Sequence, residues 1–188
     1  TKVRSLQSHG LAVATTVSGQ RTAANLPLAR AARRDATLTD AESVRRGDVL
    51  TIDGLGVSSH NLEVELERSG RLKRFGSRGA DPIRQHCRVW VHHGSTQVAA
   101  RLDLLTTDRL EAGARAVARL RLESPLFCFL GDRFILRDWA QRITLAGGKV
   151  LVPASGRPRP KRAVQAQFLE RLAANSDSAE MVIRTYLD

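Results

Sequence analysis

The chain has 188 residues, 42% of them hydrophobic and 4% aromatic, and its 30 Lys and Arg outnumber 19 Asp and Glu to give a net charge of +11. That length accommodates one or two domains with cores made mainly of Val, Leu, Ile and Ala. The charge argues against an enzyme of small neutral metabolites and for a polyanionic partner. Of the 30 bases, 26 are Arg, the side chain suited to bidentate phosphate contact, although an Arg-rich genome would give the same ratio.

Cys87 and Cys128 are the only cysteines and have no CxxC spacing, so they read as reduced core residues of a cytosolic protein. No signal-type segment opens the sequence and no apolar run approaches the length of a membrane span. A soluble, cytoplasmic protein is expected. The start at Thr1, directly in strand-like alternation, reads as a piece excised from a longer chain.

Residues 1–26 contain short extended segments at 2–7, 11–17 and 20–26, with Thr22, Ala24 and Leu26 on one face and Arg21 and Asn25 on the other. A low-hydropathy stretch, 27–45, reads as a loop or one short helix, after which RGDVL (46–50) is expected to return to the sheet and DGLG (53–56) to turn. From Asn61, Leu62, Val64 and Leu66 alternate with Glu63, Glu65 and Glu67, the clearest strand in the chain. Residues 68–82 read as a basic surface loop.

Cys87, Val89 and Val91 then oppose Arg88, Trp90 and His92, and Val98, Ala100, Leu102 and Leu104 form the next apolar face. Ala116, Ala118, Leu120 and Leu122 oppose a row of cations, Arg115, Arg119 and Arg121. In GDRFILRD (131–138), Arg133, Ile135 and Arg137 alternate with Phe134 and Leu136, which predicts a half-buried strand with an anion-seeking edge. Short strands at this spacing argue for a compact antiparallel barrel. PASGRPRPKR (153–162) reads as an extended linker. Beyond it, Val164, Phe168, Leu169 and Leu172 recur at helical spacing, and Asp177 to Glu180 can form a capping box for a second helix.

Little in this text asks for catalysis. His86, Cys87, His92 and His93 are close in sequence, but strand geometry turns His86 and His92 away from Cys87 and His93, so no metal site is expected and a His pair meeting solvent or phosphate is preferred. DGLG lacks an accompanying GxxxxGK[ST] loop or NKxD, and Gly148-Lys149 has Ile143 where such a loop needs its first glycine. No catalytic residues are assigned. The basic positions 71–78, Arg115, Arg119, Arg121, Arg133 and Arg137 can follow a phosphate backbone or simply be a solvated face. Few aromatics are available for stacking bases, so folded RNA is favoured over a single strand.

KVRSLQSHG, SGQRTAANL and RRGDVL resemble the latter half of the second domain of translational GTPases, and VHHGS, RLRLESPL, GDRFILRD and GGKVLVP resemble their third domain. The wording is most similar to the bacterial selenocysteine-specific elongation factor, over about residues 2–153. The resemblance implies a mainly β fold: two small antiparallel β-barrels of the elongation factor Tu domain II/III type, the first incomplete, plus a short C-terminal helical segment. It divides the chain into a partial second-domain barrel (1–58), a third-domain barrel (59–153), and a basic linker with the start of a winged-helix-like region (154–188).

It also implies a tRNA-binding fragment of a factor that delivers selenocysteinyl-tRNA to the ribosome, with GTP and Mg held in an absent domain, no cofactor in this fragment, and a messenger-RNA hairpin bound by an absent C-terminal region. On this reading the fragment is not itself an enzyme. Carried over by position, Arg21 falls near the aminoacyl pocket, where a guanidinium can meet a selenolate, while His93, Gly94, Arg133 and Arg137 lie toward the tRNA backbone. Pro27 stands where the family has Gly, and the 29–44 loop is longer than the family's. The alternatives are a stand-alone basic β-barrel RNA-binding or ribosome-associated protein, or a fragment of another translational GTPase.

Overall fold

The computed structural model describes residues 3–26, 46–52, 54–56, 58–73, 81–154, 162–176 and 178–187. Residues 27–45, expected as a loop or one short helix, together with Asp53, residues 74–80, most of the Pro-rich stretch and Asp177, lie outside the described residues. The chain divides into two compact units, Thr1–Asp48 and Val49–Asp188.

In the first unit, β1 (Ser5–Ser8) is the middle strand between β2 (Leu11–Val13) and β3 (Ala23–Asn25), all antiparallel. His9 and Gly10, both at positive φ, make the two-residue turn whose twist suits a hairpin. Gln20 stitches the returning segment to β1: its amide donates to Ser8 Oγ at 2.8 Å, and its carbonyl accepts from Thr16 Oγ1 at 3.1 Å. RGDVL forms no strand. Arg46 and Gly47 are in a turn, and Val49 and Leu50 are 46% and 60% exposed. Its alternation is strand-like, but it forms no ladder with a described strand, and alternation alone does not make one.

In the second unit six strands close into an antiparallel barrel. Its members are β4 (Ser58–Glu67), β6 (Arg88–His93), β7 (Thr96–Leu104), β9 (Arg115–Phe127), β10 (Arg133–Arg137) and β11 (Thr144–Ala154), in the order β10-β11-β4-β9-β7-β6. The ring shuts where β10 pairs with β6, Leu136 opposite Val91. Two short strands, β5 (Ile83–Arg84) and β8 (Arg109–Leu110), pair beside it. The period-two faces named from the sequence point inward as predicted: Leu62, Val64, Leu66, Val89, Val91, Leu102, Leu104, Ala118, Leu120 and Leu136 are all essentially inaccessible. Aliphatic side chains fill the lumen, and Phe134 adds one ring laid against the backbone of Gly148.

Arg68, grouped by sequence with a surface loop, is instead 1% exposed, and it donates to the carbonyls of Leu110 at 3.0 Å and Asp81 at 2.6 Å. Burial lowers its pKa, and Glu111 and Asp81 counter that. The guanidinium acts as a clip between loop ends, which only the fold can reveal.

Two helices, α1 (Arg162–Asn175) and α2 (Ala179–Leu187), follow, and α1 lies against β4, β9 and β11. Leu169, Leu172 and Val182 pack with Val117 and Leu151, two residues that point out of the barrel wall. Burial of such side chains contributes roughly 1.5–3 kcal/mol each, so the helices are seated on the barrel. Ser178 caps α2, its hydroxyl reaching Met181 N at 3.5 Å. No described helix is long and apolar enough to cross a membrane.

Candidate nucleic-acid interface

The outward faces of β4 and β9 were the source of the three-cation row, and register decides their fate. Glu63 lies opposite Arg119 and Glu67 opposite Arg115, while Arg121 is level with Arg101 of β7. Arg115 meets Glu67 at 3.0 Å, Arg119 meets Glu63 at 2.8 Å, and Arg121 meets Asp103 at 2.6 Å. Each cation is therefore matched by a carboxylate, and Arg119 is also covered by α1, where Gln165 bonds both members of its pair. The row is not an open phosphate track.

Asp103 is a buried carboxylate shared by two donors, His86 Nδ1 at 2.8 Å and Arg121. Burial raises its pKa, but the hydrogen bonds and charges of His86 and Arg121 outweigh this and leave it below its ordinary value.

Along the ring from β9, past β4 and β11, the balance differs at β10. Arg133 starts β10 opposite Lys149 of β11, is exposed, and makes no hydrogen bond or ion pair among the described residues. It sits on a groove of about 1180 Å³ that runs over Gly147 and Gly148 between Ser69–Arg71 and the end of α1, where Ser176 Oγ accepts from Lys149 Nζ at 3.0 Å; Glu65 and Glu67 also line it, and both are engaged by Arg115. At Gly147 an added Cβ would meet only a carbonyl at 3.9 Å, so the groove floor there is bare backbone.

The other four sequence candidates are placed differently. Arg137 shares the outward face of Arg133 but is half-buried at the β6–β10 seam, opposite Trp90, and its Nε is buried with no partner among the described residues. His93 is turned to Asp132, Nε2 to Oδ2 at 3.0 Å, with 14% of its side chain accessible. Asp132 also accepts from Phe129 N, so the pair braces a loop. Gly94, at φ 54°, makes the β6–β7 turn with open space where a side chain would be. Arg21 belongs to the first unit, where Ser8 Oγ bonds its carbonyl at 3.4 Å and its side chain is exposed.

The sequence reading passed over one cluster. Trp139, in the β10–β11 turn, stacks on Trp90 with centroids 5.2 Å apart and planes 16° from parallel, and Arg88 Cζ lies 3.9 Å from the Trp139 centroid. The available signal was Arg88 and Trp90 two apart on one strand face, but Trp139 is 49 residues away.

The histidines do not converge: His86 and His93 bond separate carboxylates, and no three of His, Cys, Asp or Glu gather as a metal site among the described residues. Burial, and then Arg137, lower the pKa of His92. Both cysteines are free thiols; burial, and then Asp132, push Cys128 up to about 11. Gly148-Lys149 lies inside strand β11, with Gly148 laddered to Phe134 and Leu66, so it forms no strand-to-helix nest that would cradle a nucleotide phosphate.

Residues 75–157 match the family model for the selenocysteine-specific elongation factor, beta-barrel domain. The selenocysteine-specific elongation factor of Desulfomicrobium baculatum is 32% identical over 158 residues, which is 84% of this chain and 22% of that protein. The Escherichia coli (strain K12) factor is 27% identical over 180 residues, 94% of this chain and 25% of its own. A crystal structure of the bacterial selenocysteine-specific elongation factor EF-Sec shares the fold with a TM-score of 0.65 at 21% identity, covering 98% of this chain and 25% of that one. The chain thus spans about a quarter of the length of these relatives. Its closed barrel, its smaller sheet and these matches together show that it resembles the β-barrel region of the bacterial selenocysteine-specific elongation factor.

Proposed function

We propose that this chain is a barrel segment of a cytoplasmic selenocysteine-specific elongation factor and that it supplies part of the surface holding selenocysteinyl-tRNA for delivery to the ribosome. The observation that carries the reading is Arg133: an exposed guanidinium with no acidic partner among the described residues, set on a groove floored by two glycines. A phosphate backbone needs an unneutralised cation and close approach to bare backbone, and this is where the barrel offers both. Gly94 and the half-buried Arg137 would serve as flanking contacts, with His93 holding the Gly94 turn in place. Arg21, on the first unit, would face the aminoacyl end, where its charge favours an ionised selenol over serine's neutral hydroxyl.

In the parent protein GTP and Mg would sit in a separate domain, and a messenger-RNA hairpin would be bound by a separate C-terminal region. On this reading the segment's own part is binding.

The test is tRNA binding by the 188-residue chain across a salt series. Arg133→Glu should weaken binding and lower the slope of log K against log salt by about 1. An unchanged affinity and slope would remove Arg133 from the interface. In the intact factor, Arg21→Glu should narrow the preference for selenocysteinyl- over seryl-tRNA, and equal preference in mutant and parent would reject its role.

A further inference from the structure

The chain has two tryptophans, and the fold brings both to one spot on the outer wall of the barrel. Trp139 is 45% exposed, in contact with Trp90 on one hand and with Arg88, itself about half accessible, on the other. Residues two apart on a strand stand about 6.6–6.8 Å apart on one face, a spacing that suits a ring reaching in from a neighbouring turn. Arg88 and Trp90 are such a pair. The result is a planar aromatic and guanidinium stack at the solvent boundary, in a chain where aromatics are scarce.

The charges around it are unequal. Glu123 takes Arg88 at 2.8 Å, Asp103 takes Arg121, and Asp138 is turned back to Ile143 N at 2.7 Å. Arg101, directly opposite Arg88 in the ladder, is exposed and makes no ion pair among the described residues. On the other flank, Arg137 stands opposite Trp90 and His92 follows it along β6. Arg137 Nε and His92 Nε2 are both buried and without partners among the described residues.

We propose that the Trp90–Trp139–Arg88 stack binds an unpaired nucleotide of a nucleic-acid strand, the base lying on the stack and Arg101 and Arg137 meeting the flanking phosphates. Every base presents a π-face, so such a platform is tolerant of sequence, and arginine adds cation–π attraction. The site adjoins the Arg133 groove and shares Arg137 with it, but it rests on the aromatic stack and differs in ligand: the groove takes the backbone of a folded RNA, the stack a base that has left its helix.

Both tryptophans lie at the site, so intrinsic fluorescence reports on it directly. The 188-residue chain is titrated with oligoadenylate of about eight nucleotides as RNA and as DNA, and with inorganic polyphosphate of matching charge. Saturable quenching by the oligonucleotides but not by polyphosphate is expected; quenching by RNA alone identifies RNA as the source, and equal quenching admits either strand. Measured by anisotropy of labelled oligoadenylate, Trp139→Leu should weaken binding by about tenfold or more. Arg101→Glu, on an exposed side chain, should keep the far-ultraviolet dichroism of the parent and also weaken binding. Equal quenching by polyphosphate, or binding by Arg101→Glu at the parent's affinity, would overturn the proposal whether or not Trp139→Leu folds. A chain that binds oligoadenylate this way yet loses no tRNA affinity on Arg133→Glu would sink the groove and leave the stack standing.

Discussion

Replacing Arg119 by Met should expose how far the barrel depends on one buried ion pair. Glu63 and Arg119 side chains are 6% and 10% accessible, and Glu63 Oε1 accepts both Arg119 Nε at 2.8 Å and Gln165 Nε2 at 2.7 Å. Glu63 Oε2 is buried without a partner among the described residues, so the carboxylate is already under-served. In Arg119→Met the Gln165 amide alone remains to solvate it, and Gln165 Oε1 loses its own donor, Arg119 Nη2 at 2.6 Å. Removing one partner of a buried pair costs about 3–5 kcal/mol, a large share of a domain's typical 5–15 kcal/mol or so. At roughly 2–4 °C per kcal/mol for a unit of this size, Tm should fall by about 10 °C. The assay is urea unfolding followed by tryptophan fluorescence, since Trp90 and Trp139 both belong to the barrel unit. The double variant Glu63→Leu with Arg119→Met removes the stranded charge and should recover most of the loss. A single variant within about 1 kcal/mol of the parent, or a double variant as weak as the single, would refute the reasoning.

Two further outcomes follow from the same barrel. Gly148→Ala should destabilise by at least about 1–3 kcal/mol, because the new Cβ would press on the Phe134 ring and come within 2.7 Å of Glu65 O; Gly147→Ala, with only a carbonyl at 3.9 Å, should fold as the parent does while narrowing the groove, and equal chemical denaturation midpoints for the two would contradict this packing. His92 has a folded pKa below its unfolded value near 6.5, so the unfolded chain binds the proton first and stability is lost as pH falls from that value through the folded one. His92→Gln should therefore flatten the loss between neutral and mildly acid pH, and parallel stability curves for mutant and parent would exclude His92 as its source.

The barrel was legible because its strands are local facts: a period of two in Leu62, Val64 and Leu66 or in Phe134 and Leu136 needs no knowledge of partners. Partnering was not legible. Arg119 and Glu63 lie 56 residues apart, so nothing near either one says that the cation is matched and roofed by a helix. RGDVL shows the converse, since its pattern equals that of a strand and yet no described neighbour receives it. Arg68 was misplaced for a third reason: composition assigns a basic residue to water, whereas two carbonyls at a loop closure hold this one inside. Candidate sites inherit these failures, because a cation is available only if register leaves it without an acid, and register is a long-range property.

Arg133 and Arg137 make the point within a single strand. They lie four residues apart on the same outward face of β10, and local sequence treats them as twins. Arg133 faces Lys149 across β11, a like charge that cannot neutralise it, at the lip of an open groove. Arg137 sits where the ladder shifts register, with Thr144 on one side and Trp90 on the other, so its stem is covered and one of its nitrogens is buried. The first could meet a phosphate without giving up a hydrogen bond or ion pair among the described residues. The second would have to be drawn from the seam, or be met by a ligand that comes to it, and a base resting on the neighbouring tryptophans would bring its phosphate to that position. On the two proposals above, one strand would serve two modes of nucleic-acid contact, and its cross-strand neighbours would decide how each arginine takes part.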